Sequence, residues 1–460
     1  MTGFLRRVLS PYRGLLILVI LLQLGQSFLT MYLPTINSRV IDYGVANADA
    51  AYIMHQGILM LGIALIQFLL STLAGIFGAK VALMTGRDLR EQVYEKLIHF
   101  SRRMIGSMGA PTLITRATND VQQVIQFITF LFTAIIAAPM MFIGGLVLAL
   151  SQSVKLSVVL LVTIPLLLGV SVVFLKLILP YYREQQTKID EMNTVLRDQI
   201  SGIRVVKNFV REDHEIEKFD TISGTIYKDF SLAERILALN SPLMQGCVYA
   251  CMILVSWLGA KQIVIGNMST GNLMSFFTYI MQILSSLMML SMVFVMITMS
   301  RASAERIVEV LDEESDITNC DNPVYEVKDG SVEFTDVSFS YAKRPDKTVL
   351  DDIDLIIPSG QTVGIIGGTG SSKSSLVQLI PRLYDVTGGC VKVGGIDVRN
   401  YDLQTLRHNV AMVLQKNTLF SGTIKENLRW GNLDATDEEL VHACQLAQAD
   451  DFIRSFPDGY

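Results

Sequence analysis

The chain has 460 residues, half of them hydrophobic and only 18% charged, with a formal net charge of −5 and a mean hydropathy of +0.41. A soluble domain carries nearer a quarter charged residues, so the composition excludes an ordinary soluble protein, and the slightly acidic balance gives no basis for a nucleic-acid partner. None of the five cysteines has metal-ligand spacing. Cys247 and Cys251 lie one helical turn apart, where a bridge along one helix is awkward. Cys320, Cys390 and Cys444 fall in predicted cytoplasm, where thiols stay reduced.

The amino terminus, MTGFLRRVLSPYRGLLILVILL, is basic and then apolar like a secretory signal, but the apolar run continues too far and no small-residue cleavage site follows. It reads as a retained first span. Six stretches contain no Asp, Glu, Lys or Arg: Gly14–Ser38, Gly57–Ala79, Val121–Val154, Leu156–Leu175, Ile236–Ala260 and Gln262–Ser300. Each can supply the roughly 20 apolar residues that a bilayer-spanning helix needs. Six helices buried in a soluble core would demand an improbably large one.

Basic residues set the expected orientation. Arg6, Arg7 and Arg13 precede the first span, seven Lys or Arg lie between Lys80 and Asp120, and nine lie between Pro180 and Arg235. The alternate connections hold only Arg39, Lys155 and Lys261. Both termini and both long connections are therefore expected in the cytoplasm. Those connections are too long for simple loops, and both carry helical periodicity: Leu89, Val93, Leu97 and Phe100 in the first, and Ile189, Met192, Leu196, Ile200, Ile203 and Val206 in the second. The membrane helices should continue well into the cytoplasm.

In the last span, Met274, Met281, Met288, Met292 and Met299 recur on one helix face. Such a face either packs against another helix or offers a soft surface to varied apolar molecules. Gln67, Gln126, Asn240, Gln245 and Gln282 are candidate buried polar sites, and no Asp, Glu, Lys or Arg lies in the membrane part of any span. That absence argues against ion-coupled transport.

Residues 1–310 thus form a membrane domain, 311–330 an acidic linker, and 331–460 a soluble domain of different texture. SVEFTDVSFSY and VLDDIDLIIPSG alternate as antiparallel strands, QTVGIIG is a short apolar run entering a glycine turn, SSLVQLIPRLY is helical, and GGCVKVGGIDV is a hairpin with a Gly-Gly turn. The expected fold is an all-α transmembrane domain followed by an incomplete α/β domain built on a strand, a glycine loop and a helix.

That loop, GIIGGTGSSKSSL, has the spacing Gly367-x-x-Gly370-x-x-Lys373-Ser374. A phosphate cradle needs successive inward-pointing backbone N–H groups, which glycines permit, and a helix start behind them. Gly367, Gly368, Thr369, Gly370, Ser371, Ser372, Lys373, Ser374 and Ser375 would form it, with Lys373 on phosphate and Ser374 on Mg²⁺. Ser372 stands where the pattern wants glycine. Its Cβ and hydroxyl should crowd a phosphate or strain the loop, weakening nucleotide binding.

With these motifs in their order, the chain resembles the ATP-binding-cassette exporters in the half-transporter form, and the resemblance runs along essentially its whole length. VEFTDVSFSY is similar to the family's opening strand, which implies that Tyr341 stacks on adenine. VAMVLQKNTLFSGTIKENL is similar to the segment whose glutamine, here Gln415, contacts metal and water. TLITRATNDV and GIRVVKNFVREDHEIEKF resemble cytoplasmic loops that dock onto nucleotide domains, and LPTINSRVIDYG with GTIKENLRWGN resembles subunits of bacterial heterodimeric multidrug exporters.

The resemblance implies ATP and Mg²⁺ as cofactors, a second half-transporter as partner with a heterodimer favoured, and a multi-pass place in the cell membrane. It also implies ATP-driven export of hydrophobic or amphipathic small molecules. The alternatives are a lipid or peptide exporter, or a hydrolysis-incompetent fragment or regulatory membrane protein. The family's signature loop, the strand ending in Asp, the catalytic carboxylate and the switch histidine do not follow Gln415. Hydrolysis depends on positioning by such groups, so this polypeptide, a fragment or truncated product on this reading, is expected not to hydrolyse ATP.

Overall fold

The computed structural model describes residues 2–342, 344–415 and 417–460. The polypeptide divides into two units, the first Met1–His99 with Met108–Glu313 and the second Phe100–Ser107 with Glu314–Tyr460.

The first unit is helical. Its elements are α1 (Gly3–Val45), α2 (Ala50–Ile98), α4 (Ala110–Gln152), α5 (Val154–Ser201), α6 (Glu212–Val264) and α7 (Thr270–Asp312), while the short α3 (Arg102–Met108) belongs almost wholly to the second unit. Six helices are long and apolar enough to cross a membrane. The 49 residues of α2 make a rod of about 74 Å at 1.5 Å per residue, well over the ~30 Å hydrocarbon core. The expected helical extensions are therefore present. Along α2, Leu61, Leu65, Phe68 and Leu69 are exposed, an apolar surface that only lipid or another apolar partner can cover.

Lipid supplies no hydrogen bonds, so the backbone must satisfy itself. Pro34 lies inside α1 and has no N–H, which frees the carbonyl of Thr30. Gln282 Nε2 approaches that carbonyl at 3.5 Å, and Gln67 Nε2 donates to Thr30 Oγ1 at 3.0 Å. Two of the polar residues singled out in the sequence thus repair one proline. Gln126 and Gln245 are exposed, and Asn240 is half-buried.

Close helix approach uses small residues. A Cβ on Gly145 of α4 would meet Ile283 of α7 at 2.9 Å. Around that contact lies a core of Phe276, Tyr279, Ile280, Ile283 and Leu284 from α7 with Leu156 and Leu160 from α5 and Val255 from α6.

At one end of the bundle, in the LPTINSRVIDYG segment, the chain winds as a π-helix over Val40–Val45. Asp42 there accepts from Ser269 Oγ at 2.6 Å, the Gly271 amide at 2.8 Å and Ser38 Oγ at 3.3 Å. Its carboxylate sits at the first turn of α7, where the helix dipole favours negative charge.

Toward the other end, Arg306 of α7 donates to Asp120, with Nε to Oδ2 at 2.8 Å, and Arg116 pairs with Glu309 at 2.9 Å. The charged residues of TLITRATNDV therefore bind α7 inside the first unit. The segment that joins the second unit is Phe100–Ser107, which motif reading passed over.

In the second unit a sheet of order β2-β1-β3-β4 is antiparallel throughout, formed by β1 (Val332–Phe339), β2 (Leu350–Ile357), β3 (Gly388–Val393) and β4 (Ile396–Asp397). Alternation, with a register shift between Phe334 and Val337, places Phe334, Val337, Phe339, Val391 and Val393 in the core, where α8 (Lys373–Leu379) adds Leu376 and Leu379. The Gly394–Gly395 turn has positive φ at both residues, +58° and +78°, as a two-residue hairpin requires. Short helices α9 (Leu403–Asn409), α10 (Ile424–Leu428), α11 (Asp437–Leu446) and α12 (Asp450–Arg454) complete the unit.

One expectation fails. Residues 361–368 form no strand; no strand pairs with them among the described residues, and Ile366 is 99% exposed. The apolar run before the glycine turn has β composition but no neighbour to complete its ladder.

Asp120 is the more deeply buried partner of its pair, with its side chain 3% exposed, so Asp120→Ala leaves Arg306 without its bidentate acceptor. A loss of about 2 kcal/mol is expected, read as a lower apparent melting temperature in detergent. A double-mutant cycle with Arg306→Ala should return a coupling above about 0.5 kcal/mol.

Candidate functional site

The glycine turn delivers the chain into α8 through two left-handed residues, Gly370 at φ +86° and Ser372 at φ +63°. Glycine visits that region freely, whereas a residue with a Cβ pays about 1–2 kcal/mol. Ser372 occupies the cap position of α8 in this conformation and makes no capping hydrogen bond with its side chain. The cost of replacing glycine is therefore visible as geometry. It lies in the backbone, with a half-buried side chain.

Within the turn, among the described residues, the one backbone bond runs from the Ser371 amide to the Gly368 carbonyl at 3.3 Å. The neighbouring amides remain for a ligand. Lys373 Nζ reaches back across the turn to the carbonyls of Gly367 and Gly368, both at 2.8 Å, and to Ser371 Oγ at 3.1 Å. A Cβ on Gly367 would lie 2.6 Å from Ser371 Oγ, so a larger residue there would require that hydroxyl to turn away. Thr369 and Ser374 are exposed, while Ser375 is buried. An ammonium held by neutral carbonyls, with free amides around it, is an arrangement able to take an anion.

Tyr341 follows β1 and is 40% exposed. Its hydroxyl is 2.8 Å from Ser375 Oγ, so the structure brings this sequence-predicted residue to the first turn of α8. Gln415 lies exposed in an irregular stretch, next to the similarly exposed Val413 and Leu414.

Met274, Met281, Met288, Met292 and Met299 are all exposed, along the side of α7 away from the packed Phe276, Ile280 and Ile283. The periodicity had left packing open; within this unit the methionines form a free surface. Sequence reasoning missed a cleft of about 550 Å³ between α5 and α6, lined by Val158, Val162, Thr163, Leu243, Cys251 and Leu254 among others. No motif marks it, because its lining is ordinary apolar sequence.

The profile of the ABC transporter transmembrane region matches residues 16–302, and that of the ABC transporter domain matches residues 350–458. An uncharacterized ABC transporter ATP-binding protein of Mycobacterium tuberculosis is 38% identical over 98% of this chain and 78% of its own length. A protein of the same description from Bacillus subtilis is 31% identical, again over 98% and 78%. A multidrug efflux ATP-binding/permease protein of M. tuberculosis is 28% identical over 95% of this chain and 36% of its own length.

The chain is a multi-pass membrane protein with a cytoplasmic ATP-binding domain. It belongs to the ABC transporter family, in the half-transporter form that works as a dimer.

Replacing Ser372 by glycine removes the left-handed strain and the side chain beside the turn. Ser372→Gly is expected to raise the apparent melting temperature, in line with relief of about 1 kcal/mol, and to tighten ATP binding in a titration with a fluorescent ATP analogue. Unchanged affinity would show that the serine does not crowd the nucleotide.

Proposed function

We propose that this chain is one half of a heterodimeric exporter that binds ATP with Mg²⁺ and moves hydrophobic or amphipathic small molecules out across the cell membrane. The observation that carries the nucleotide reading is the glycine turn with Lys373 Nζ folded over its free amides.

In this reading the turn amides other than that of Ser371, which bonds to Gly368, take the phosphates, and Lys373 exchanges three neutral acceptors for anionic ones, a stronger partnership. Tyr341 stacks on the adenine with its exposed side. The Ser374 hydroxyl and the Gln415 amide oxygen are hard donors of the kind Mg²⁺ prefers; the ion supplies charge neutralisation between the phosphates. Engagement of nucleotide by both halves of the dimer would draw on the long cytoplasmic helix extensions to change the shape of the membrane unit.

The cargo reading rests on the exposed methionine face of α7 and on the absence of ionisable side chains from it. Thioethers adapt to varied apolar shapes, and a similar protein is described as a multidrug efflux ATP-binding/permease protein. The cleft between α5 and α6, open at the surface of the unit, favours a second reading, a lipid exporter of the same architecture.

Binding of ethidium to the purified chain in nanodiscs, followed by fluorescence, separates these. The double variant Met281→Ala/Met288→Ala is expected to weaken binding about fivefold or more, since each lost buried methylene is worth about 0.8 kcal/mol. Unchanged binding would remove the methionine face from the account. Competition by phospholipid, and none by other cationic drugs, would favour the lipid reading.

A further inference from the structure

Tyr341 is held as well as exposed. Its ring meets Phe339 edge-on at 4.8 Å and 75°, and Tyr384 at 5.1 Å and 85°. Phe339 and Tyr384 also touch, at 5.6 Å and 55°. The two contacts of Tyr341 are the edge-to-face geometries that aromatic quadrupoles favour. With the Tyr341 hydroxyl fixed at Ser375, the ring is located by two side contacts and one polar tether, leaving its remaining surface open.

The position of Tyr384 is itself strongly determined. It follows Arg382, whose buried guanidinium holds Asp385 through two bonds of 2.8 and 3.2 Å and donates to the Arg399 carbonyl at 3.4 Å. Arg407 closes the turn by donating to the Arg382 carbonyl at 3.0 Å. Behind the two tyrosines, Arg103 pairs with Asp316 at 3.0 Å. Arg103, Asp316 and Ile317 line, with Tyr341 and Tyr384, a crevice of about 10 Å³, too small for the Tyr341 ring to swing into. Burial pushes the Tyr384 hydroxyl above the usual phenol range, and Arg102 opposes that only in part.

We infer that Tyr384 is a positioning residue for the nucleotide base: packed between the Arg382 turn and Tyr341, it fixes the Tyr341 ring in the orientation that receives a purine. The inference rests on the reading of Tyr341 as the base-stacking residue. It gives Tyr384, which touches no phosphate element, an effect on base recognition alone.

The test compares two anions on the purified full chain, ATP and inorganic tripolyphosphate. Both present a triphosphate, and only ATP has a base. Tyr384→Ala is expected to weaken ATP about tenfold while leaving tripolyphosphate within about twofold, and Tyr384→Phe, which keeps the ring, to restore ATP affinity. If Tyr384→Ala does not fold, Tyr384→Leu fills the volume without an aromatic edge and carries the same expectation.

Equal weakening of ATP and tripolyphosphate would overturn the inference by showing a merely structural role, and so would no change in either. Tyr341→Ala separates the two levels. If it leaves the ratio of the two affinities unchanged, the stacking reading fails; if it shifts the ratio and neither Tyr384→Ala nor Tyr384→Leu does, only the positioning role fails.

Discussion

The candidate nucleotide site depends on one backbone constraint, the left-handed passage through Gly370 and Ser372. That passage lets the chain leave an irregular apolar stretch and enter α8 with Lys373 at its first position. It also places Ser375 under the hydroxyl of Tyr341 and seats Leu376 and Leu379 on the sheet. A single serine at φ +63° costs about 1–2 kcal/mol, a small sum beside the burial of two leucines at roughly 1.5–3 kcal/mol each. Core packing therefore imposes the strained turn, and the strain is available to be altered by whatever binds there.

A different constraint governs the membrane unit. Its surface is apolar because lipid must cover it, so specificity comes from the few polar groups inside. Thr30, left with a freed carbonyl by Pro34, gathers Gln67 and Gln282. Asp42 gathers three donors from the junction of α1 and α7, and Asp120 and Arg116 meet Arg306 and Glu309. All three clusters join segments far apart in sequence, and each involves α7. The last membrane helix is thus tied by polar contacts at both ends and near its middle, while its methionine side stays free.

Much of this was legible in the sequence. Six uncharged runs announced six spans, and helical periodicity in the connections announced their extensions. Alternation interrupted by a register shift gave β1 and β2, and the Gly-Gly turn gave the β3–β4 hairpin. What was not legible depended on partners. QTVGIIG has strand composition, yet a strand exists only where another backbone completes its ladder. The charges of TLITRATNDV look free in sequence because Arg306 and Glu309 lie nearly two hundred residues away. Phe100–Ser107 carries no motif, and its place with the second unit follows from contacts such as Arg103 with Asp316. At the site, the residue types of the turn could be read directly, and so could the reason for suspecting Ser372. The aromatic contacts that hold Tyr341 could not, because Tyr384 lies 43 positions away, with β2, the glycine turn and α8 between.

The central claim is that this chain holds ATP with its base at Tyr341 and its phosphates in the glycine turn. Photolabelling of the purified chain with 8-azido-ATP, followed by peptide mapping, tests it most directly. The account predicts label on the peptide that contains Tyr341, lost when excess ATP is present. Label confined to the membrane helices, or label on that peptide that ATP does not displace, would contradict it.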